Sequence, residues 1–206
     1  MKDYNNKGIA LENKIIKRMF DFIFSLIGLL FFGWLIVVAF LVATMDTKEN
    51  GFFTQVRVGK DGKLFRVIKI RTMRNIPNFD STVTTSQDPR ITKSGRFFRK
   101  TKIDELPQLI NVLLGQMSFV GPRPDVPGFA DKLSEDEKII LSIRPGITGP
   151  ATLKYRNEEE ILAQQSNPEK YNKTVIYPDK VRINMEYIFN YNILKDIEYI
   201  IQTVFH

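Results

Sequence analysis

Residues Thr101–Pro124 read TKIDELPQLINVLLGQMSFVGPRP, and the rest of the 206-residue chain is most easily read outward from them. Leu106, Leu109, Ile110, Leu113 and Leu114 recur at helical spacing, and Gly115 supplies a stop. Pro107 is tolerated only in a first turn, where its missing N–H costs nothing, so the pattern predicts a helix starting near Asp104. Asp104 and Glu105 would then face unpaired backbone N–H groups at the positive end of the helix dipole. A carboxylate stays ionised there, and a phosphate is equally welcome. Two readings stand: Asp104 caps the helix while Glu105 decorates it, or the pair carries chemistry. Downstream, Pro122 and Pro124 fix the backbone on either side of Arg123, which suits a guanidinium that grips phosphate; a solvated arginine in a Pro-rich loop explains the same residues.

Upstream, Gly95-Arg96-Phe97-Phe98-Arg99-Lys100 leads into this stretch, and residues 75–95 read as a polar surface loop. Before them, Phe52–Val58 and Lys63–Ile70 form two strands around the turn Gly59-Lys60-Asp61-Gly62, a β-hairpin that ends on Lys69 and Arg71. Further back, Phe22–Thr44 contains no charged residue. As a helix these 23 residues would extend about 35 Å, enough to cross a bilayer core. The run is long for a signal peptide and has no small-x-small cleavage site. Lys14, Lys17 and Arg18 precede it, and Lys48, Arg57, Lys60 and Lys63 follow it, so basic flanks lie on both sides and permit both ends to remain cytoplasmic. The division that results is a polar segment and membrane-inserted helix over 1–46 and a catalytic domain over 47–206. The fold class is α+β, mostly helical with one β-hairpin.

Downstream, Ser134 and Glu137 stand at capping-box spacing before a short helix over 134–143. Arg144-Pro145-Gly146 repeats the Arg-Pro rigidity. Residues 154–180 are polar, with Pro168 and Pro178 as breakers, and from Val181 the chain turns helical again with Tyr187, Ile188, Tyr191, Leu194, Ile197, Ile200, Ile201, Val204 and Phe205 spaced for an apolar face. That face suits packing on the domain core or, with aromatic residues beside lysine, a membrane interface.

Composition removes several chemistries. There are no cysteines and a single histidine, His206, which excludes disulfides, thiolate nucleophiles and cysteine–histidine zinc sites and argues against a Ser-His-Asp triad. Carboxylates, hydroxyls, lysines, arginines or an oxygen-bound metal remain. The net charge of +7 points to anionic partners without choosing among them.

Asp104-Glu105-Leu106-Pro107-Gln108, Gly115-Gln116-Met117-Ser118-Phe119 and Gly121-Pro122-Arg123-Pro124 resemble the core of the bacterial monotopic phosphoglycosyl transferases, the initiating sugar transferases of surface-glycan pathways. Lys69-Ile70-Arg71-Thr72-Met73 and Arg144-Pro145-Gly146-Ile147-Thr148-Gly149 resemble further motifs of that family, and Lys17, Arg18 and Asp21 resemble its start of a re-entrant membrane helix. The family usually breaks that helix with a Ser-Pro pair where this chain has Gly33-Trp34, and often carries Leu-Ala-Gln where this chain has Pro150-Ala151-Thr152. The resemblance runs from Lys17 to about Gly149, returns weakly over Tyr187–Thr203, and leaves 154–180 unassigned.

The resemblance implies that Asp104 attacks the β-phosphate of a UDP-sugar, expelling UMP and leaving an aspartyl-phosphosugar. Polyprenyl phosphate then accepts the phosphosugar in a ping-pong reaction. Lys69, Arg71, Arg99, Arg123 and Arg144 would hold substrate phosphates, and Glu105 would hold Mg2+. Magnesium fits an adjacent acid pair among bases, because it takes one or two carboxylates and completes its shell with phosphates and water. The enzyme would sit at the inner membrane of a bacterium, with its catalytic domain on the cytoplasmic face. Two other classes compete: a membrane-tethered basic module that binds anionic lipid or nucleic acid, and an aspartate-dependent phosphohydrolase. No interleaving of bases with aromatics suggests nucleic acid.

Overall fold

The computed structural model describes residues 8–76, 88–128 and 133–205, apart from the side chain of Glu159. Part of the expected 75–95 loop and His206 lie outside these residues. The chain begins with α1 (Leu11–Thr47), a single helix of 37 residues, roughly 55 Å long at the usual rise. Gly28 and Gly33 lie inside it without interrupting it; glycine weakens a helix by only about 1 kcal/mol, which the long apolar run absorbs. Lys48, left-handed at φ 59°, returns its N–H to the Thr44 carbonyl and ends the helix.

Strands β1 (Phe52–Val58) and β2 (Leu64–Ile70) pair antiparallel from Phe52↔Ile70 to Val58↔Leu64, so the hairpin forms where the alternation placed it. Helix α2 (Lys93–Thr101) starts on a Thr92 cap, whose hydroxyl oxygen accepts from the Gly95 N–H at 2.9 Å. The polar stretch is therefore already helical by Lys93, earlier than its composition indicates. A 3-10 turn, Ile103–Glu105, carries the acid pair, and α3 (Gln108–Leu113) follows. The expected single helix from Asp104 is thus two pieces. Pro107 stands just ahead of α3, and the left-handed Lys102 forces a sharp bend between α2 and the 3-10 turn.

Strand β3 (Ser118–Val120) pairs in parallel with β4 (Gly146–Thr148), a ladder the sequence did not announce. Between them the Ser134–Glu137 capping box forms: Glu137 Oε2 accepts from the Ser134 N–H and hydroxyl, both at 2.8 Å, and opens a 3-10 helix, Glu137–Ser142. Then come α4 (Pro150–Lys154), α5 (Glu158–Ala163), α6 (Pro168–Tyr171), a π turn over Asn172–Ile176, α7 (Tyr177–Phe189) and α8 (Ile193–Phe205). Here Pro168 and Pro178 occupy first turns and start helices instead of breaking them. The apolar face expected from Tyr187 to Phe205 is divided: Asn190–Asn192 separates α7, which buries Tyr187 and Ile188, from α8, which leaves Leu194, Val204 and Phe205 exposed.

Helix α1 lies along the domain for most of its length. Near its start, Lys17 Nζ pairs with Asp196 of α8 at 2.6 Å, both groups buried. Arg18 donates to the carbonyls of Val112 and Leu113, and Asp21 Oδ1 accepts from the Ser118 hydroxyl at 3.0 Å. Midway, Gly28 admits Leu109 of α3. Toward its end, Ile36, Ala39 and Ala43 form one apolar cluster with Ile70 and Phe98, and Asp46 meets Arg74 and Ser94. The outer side is apolar and open, with Leu30, Phe31 and Trp34 each at least two-thirds exposed. A second cluster joins Val120, Ile140, Ile143, Val181, Tyr187 and Ile188.

Candidate active site

The acid pair owes its position to three local features. Lys102, at φ 60°, reverses the chain after α2, the 3-10 turn projects Asp104 inward, and Pro107 starts α3 immediately behind. Asp104 is only 9% exposed, and its Oδ1 has no hydrogen-bond partner among the described residues. It caps no helix, which removes the first of the two readings of that residue. Burial, reinforced by the neighbouring Glu105 charge and only partly offset by Lys69, Lys102 and Arg99, raises its pKa to about 6.

Glu105 behaves in the opposite way. Burial alone would raise its pKa, but Lys69 and Arg123, with the hydrogen bond from Lys69 Nζ at 2.8 Å, overrule it and bring the group down to about 2. Two adjacent carboxyl groups are thus pushed apart, one fixed as an anion and one poised near neutrality. Lys69 reaches Glu105 because Asn111 of α3 grips the outer edge of β2. Its Oδ1 accepts from the Ile68 N–H at 3.0 Å, and its Nδ2 donates to the Arg66 carbonyl at 2.8 Å. Nothing in the hydrophobic pattern singled out Asn111, since its part is to satisfy an open strand edge.

Of the basic residues proposed from sequence, Lys69, Arg99 and Arg123 converge on the acid pair. Arg99 is steadied by the Thr72 hydroxyl at 3.0 Å and the Met73 sulfur. Arg123 is exposed, and no hydrogen bond engages it among the described residues. Arg71 and Arg144 are engaged elsewhere. Arg71 bonds the Asn50 carbonyl and pairs with Glu49 at 3.0 Å; Arg144 bonds the Gly115 carbonyl at 2.7 Å, beside Arg18. Lys17, Arg18 and Asp21 tie α1 to α8, α3 and β3 respectively. Lys102, overlooked in the sequence, adds a fourth positive charge around the acid pair. Its signal was its position two residues before the acid, but a lysine there reads as ordinary surface.

The two Arg-Pro motifs meet back to back through glycine. A Cβ on Gly121 would come within 2.5 Å of the Arg144 carbonyl oxygen, and one on Gly146 would strike the Gly121 nitrogen. Side chains at either place would separate β3 from β4, so both positions require glycine.

Residues 12–206 match the family described as bacterial sugar transferase. The chain belongs to that family. Among relatives of this bacterial sugar transferase, a UDP-glucose:undecaprenyl-phosphate glucose-1-phosphate transferase of Escherichia coli is 36% identical over 94% of the chain and 40% of its own length. Galactosyl transferase CpsE of Streptococcus agalactiae is 35% identical over 98% of the chain and 44% of its own length. An undecaprenyl-phosphate galactose phosphotransferase of Salmonella typhimurium is 32% identical over 93% of the chain and 40% of its own length. The bacterial sugar transferase chain thus spans about two-fifths of the length of these relatives.

Proposed function

We propose that this chain transfers a sugar phosphate from a UDP-sugar to polyprenyl phosphate at the cytoplasmic face of a bacterial membrane, the first membrane step of surface-glycan assembly. The observation that carries this reading is the buried, unpartnered Asp104 carboxylate beside a Glu105 held anionic, with Lys69, Arg99, Lys102 and Arg123 around them. Family membership and the names of the relatives point the same way.

In this mechanism Arg123 and Arg99 take phosphate oxygens of the donor, and their charges favour the ionised form of Asp104. The Asp104 carboxylate forms a bond to the β-phosphorus as the bond to the bridging oxygen breaks, and UMP departs with that electron pair. The aspartyl-phosphosugar is then attacked by an oxygen of polyprenyl phosphate, which restores the carboxylate and yields the polyprenyl diphosphosugar. Lys69 keeps Glu105 charged throughout. The orphaned Asp104 oxygen and Glu105 together suit Mg2+, which needs few protein ligands when phosphates complete its shell; bound there, it would offset charge on the transferring phosphoryl group.

The membrane reading rests on α1. Both of its ends touch the same domain, Lys17 through Asp196 and Asp46 through Arg74. A helix crossing the bilayer would drag those polar contacts into lipid, whereas the unbroken α1 lying along one face of the bilayer keeps them at the surface with its apolar side facing the acyl chains.

The test is UMP release from UDP-glucose and UDP-galactose, with and without polyprenyl phosphate. Wild-type protein should form lipid-linked product only with the acceptor and accumulate a phosphosugar adduct on Asp104 without it. Asp104→Asn should abolish both. Steady sugar-phosphate release without acceptor would indicate a hydrolase, and no UMP from any UDP-sugar would indicate a binding module.

A further inference from the structure

Arg123 is an exposed side chain on a loop whose backbone is fixed at almost every neighbouring residue. The Gly121 N–H donates to the Thr148 carbonyl and the Gly146 N–H to the Pro122 carbonyl, both at 2.9 Å. On the other side, Arg57 of β1 donates one guanidinium N–H to the Pro124 carbonyl at 3.1 Å, and the Val58 N–H donates to the Asp125 carbonyl at 2.9 Å. The Tyr177 hydroxyl, where the π turn passes into α7, donates to Asp125 Oδ2 at 3.2 Å.

These contacts divide into two kinds. The ties to β4 are backbone bonds and follow from the glycine packing. Those of Arg57 and Tyr177 are made by side chains from β1 and from α7, elements otherwise outside the site.

We infer that Arg57 and Tyr177 are positioning residues for Arg123, clamping the Pro124–Asp125 side of its loop so that the guanidinium is held over the acid pair. The inference rests on the proposed role of Arg123 in gripping the donor diphosphate. Arg57 is half-buried and close enough to Arg123 for their like charges to be felt. Its guanidinium is anchored at both ends, to Pro124 and, at 2.6 Å, to Gln55 Oε1, so the hairpin holds it despite the like charge nearby. Tyr177 restrains the same loop through Asp125. A phosphate grip that depends on a planar fork loses much of its strength when the fork is free to wander.

The experiment is a double-mutant cycle on the full chain in lipid nanodiscs, reading the affinity for UDP, which carries the diphosphate whatever the sugar. Arg123→Met and Arg57→Met should each weaken UDP binding by about tenfold, and Tyr177→Phe by a few-fold. In the Arg123→Met background, both second substitutions should change affinity by less than about twofold, because no gripping group remains to be positioned. Tyr177→Phe removes a single hydroxyl and keeps the test open if Arg57→Met unfolds. Equal losses in both backgrounds would mean that Arg57 and Tyr177 act on their own account, and the inference falls while the role of Arg123 stands. Unchanged UDP affinity in Arg123→Met alone would overturn that role and this inference with it.

Discussion

At the scale of single residues, Asp104 and Glu105 are chemically alike and electrostatically opposite. Asp104 is held above its ordinary value of 3.8, at about 6, so the native state favours its protonated form. That preference contributes stability fully below about pH 4 and loses it as pH rises through about 6. At pH 8 the fold therefore carries an unfavourable buried carboxylate. Asp104→Asn should raise thermal stability there by as much as about 3 kcal/mol, a gain that shrinks toward pH 4, and melting curves across that range would show it. The same ionisation predicts that kcat/KM for UMP release climbs about tenfold per pH unit below 6 and levels above it. A profile flat through pH 6 would remove Asp104 from the rate-determining chemistry. The acid pair and Arg123 could be picked out as candidates from the sequence because prolines and adjacent carboxylates mark themselves. Which acid has its pKa raised was not legible there, because that depends on Lys69 arriving from β2, 36 residues earlier.

At the scale of elements, the junction of β3 and β4 sets the geometry of both Arg-Pro motifs. Gly146→Ala would drive a methyl group into Gly121, so it should cost at least about 2 kcal/mol, or about 5 °C in melting temperature, with loss of activity. Gly33→Ala is the contrast. Nothing lies within 4 Å of its added carbon, and the melting temperature should hold or rise. A fall equal to that of Gly146→Ala would show that the close approach is not what selects glycine at 146. The hairpin, α1 and the Ser134 capping box were readable because each is encoded by neighbours in sequence. The parallel β3–β4 pairing was hidden because strands of three residues carry no periodicity. The helical turns from Pro168 to Lys180, ahead of the helix expected from Val181, were missed for another reason: proline inside a polar stretch reads as a break, although in a first turn it begins a helix.

At the scale of the whole molecule, α1 is both the long apolar helix that we propose meets the membrane and a wall of the domain. Placement on one face of the bilayer predicts that single cysteines at Glu12 and Lys63, in a chain that has none, are both shielded from an impermeant thiol reagent in intact cells and both labelled after permeabilisation. Labelling of one alone in intact cells would establish a crossing helix. The buried pair of Lys17 and Asp196 joins groups 179 residues apart. A ribosome making this chain releases the apolar α1 long before its partner on α8 has been synthesised. Until then Lys17 must stay hydrated, and the pair cannot close before α8 has been made. The interior is therefore finished by the helix made first: α1, whose buried side supplies Ile36, Ala39 and Ala43, cannot be trimmed away without tearing the domain open.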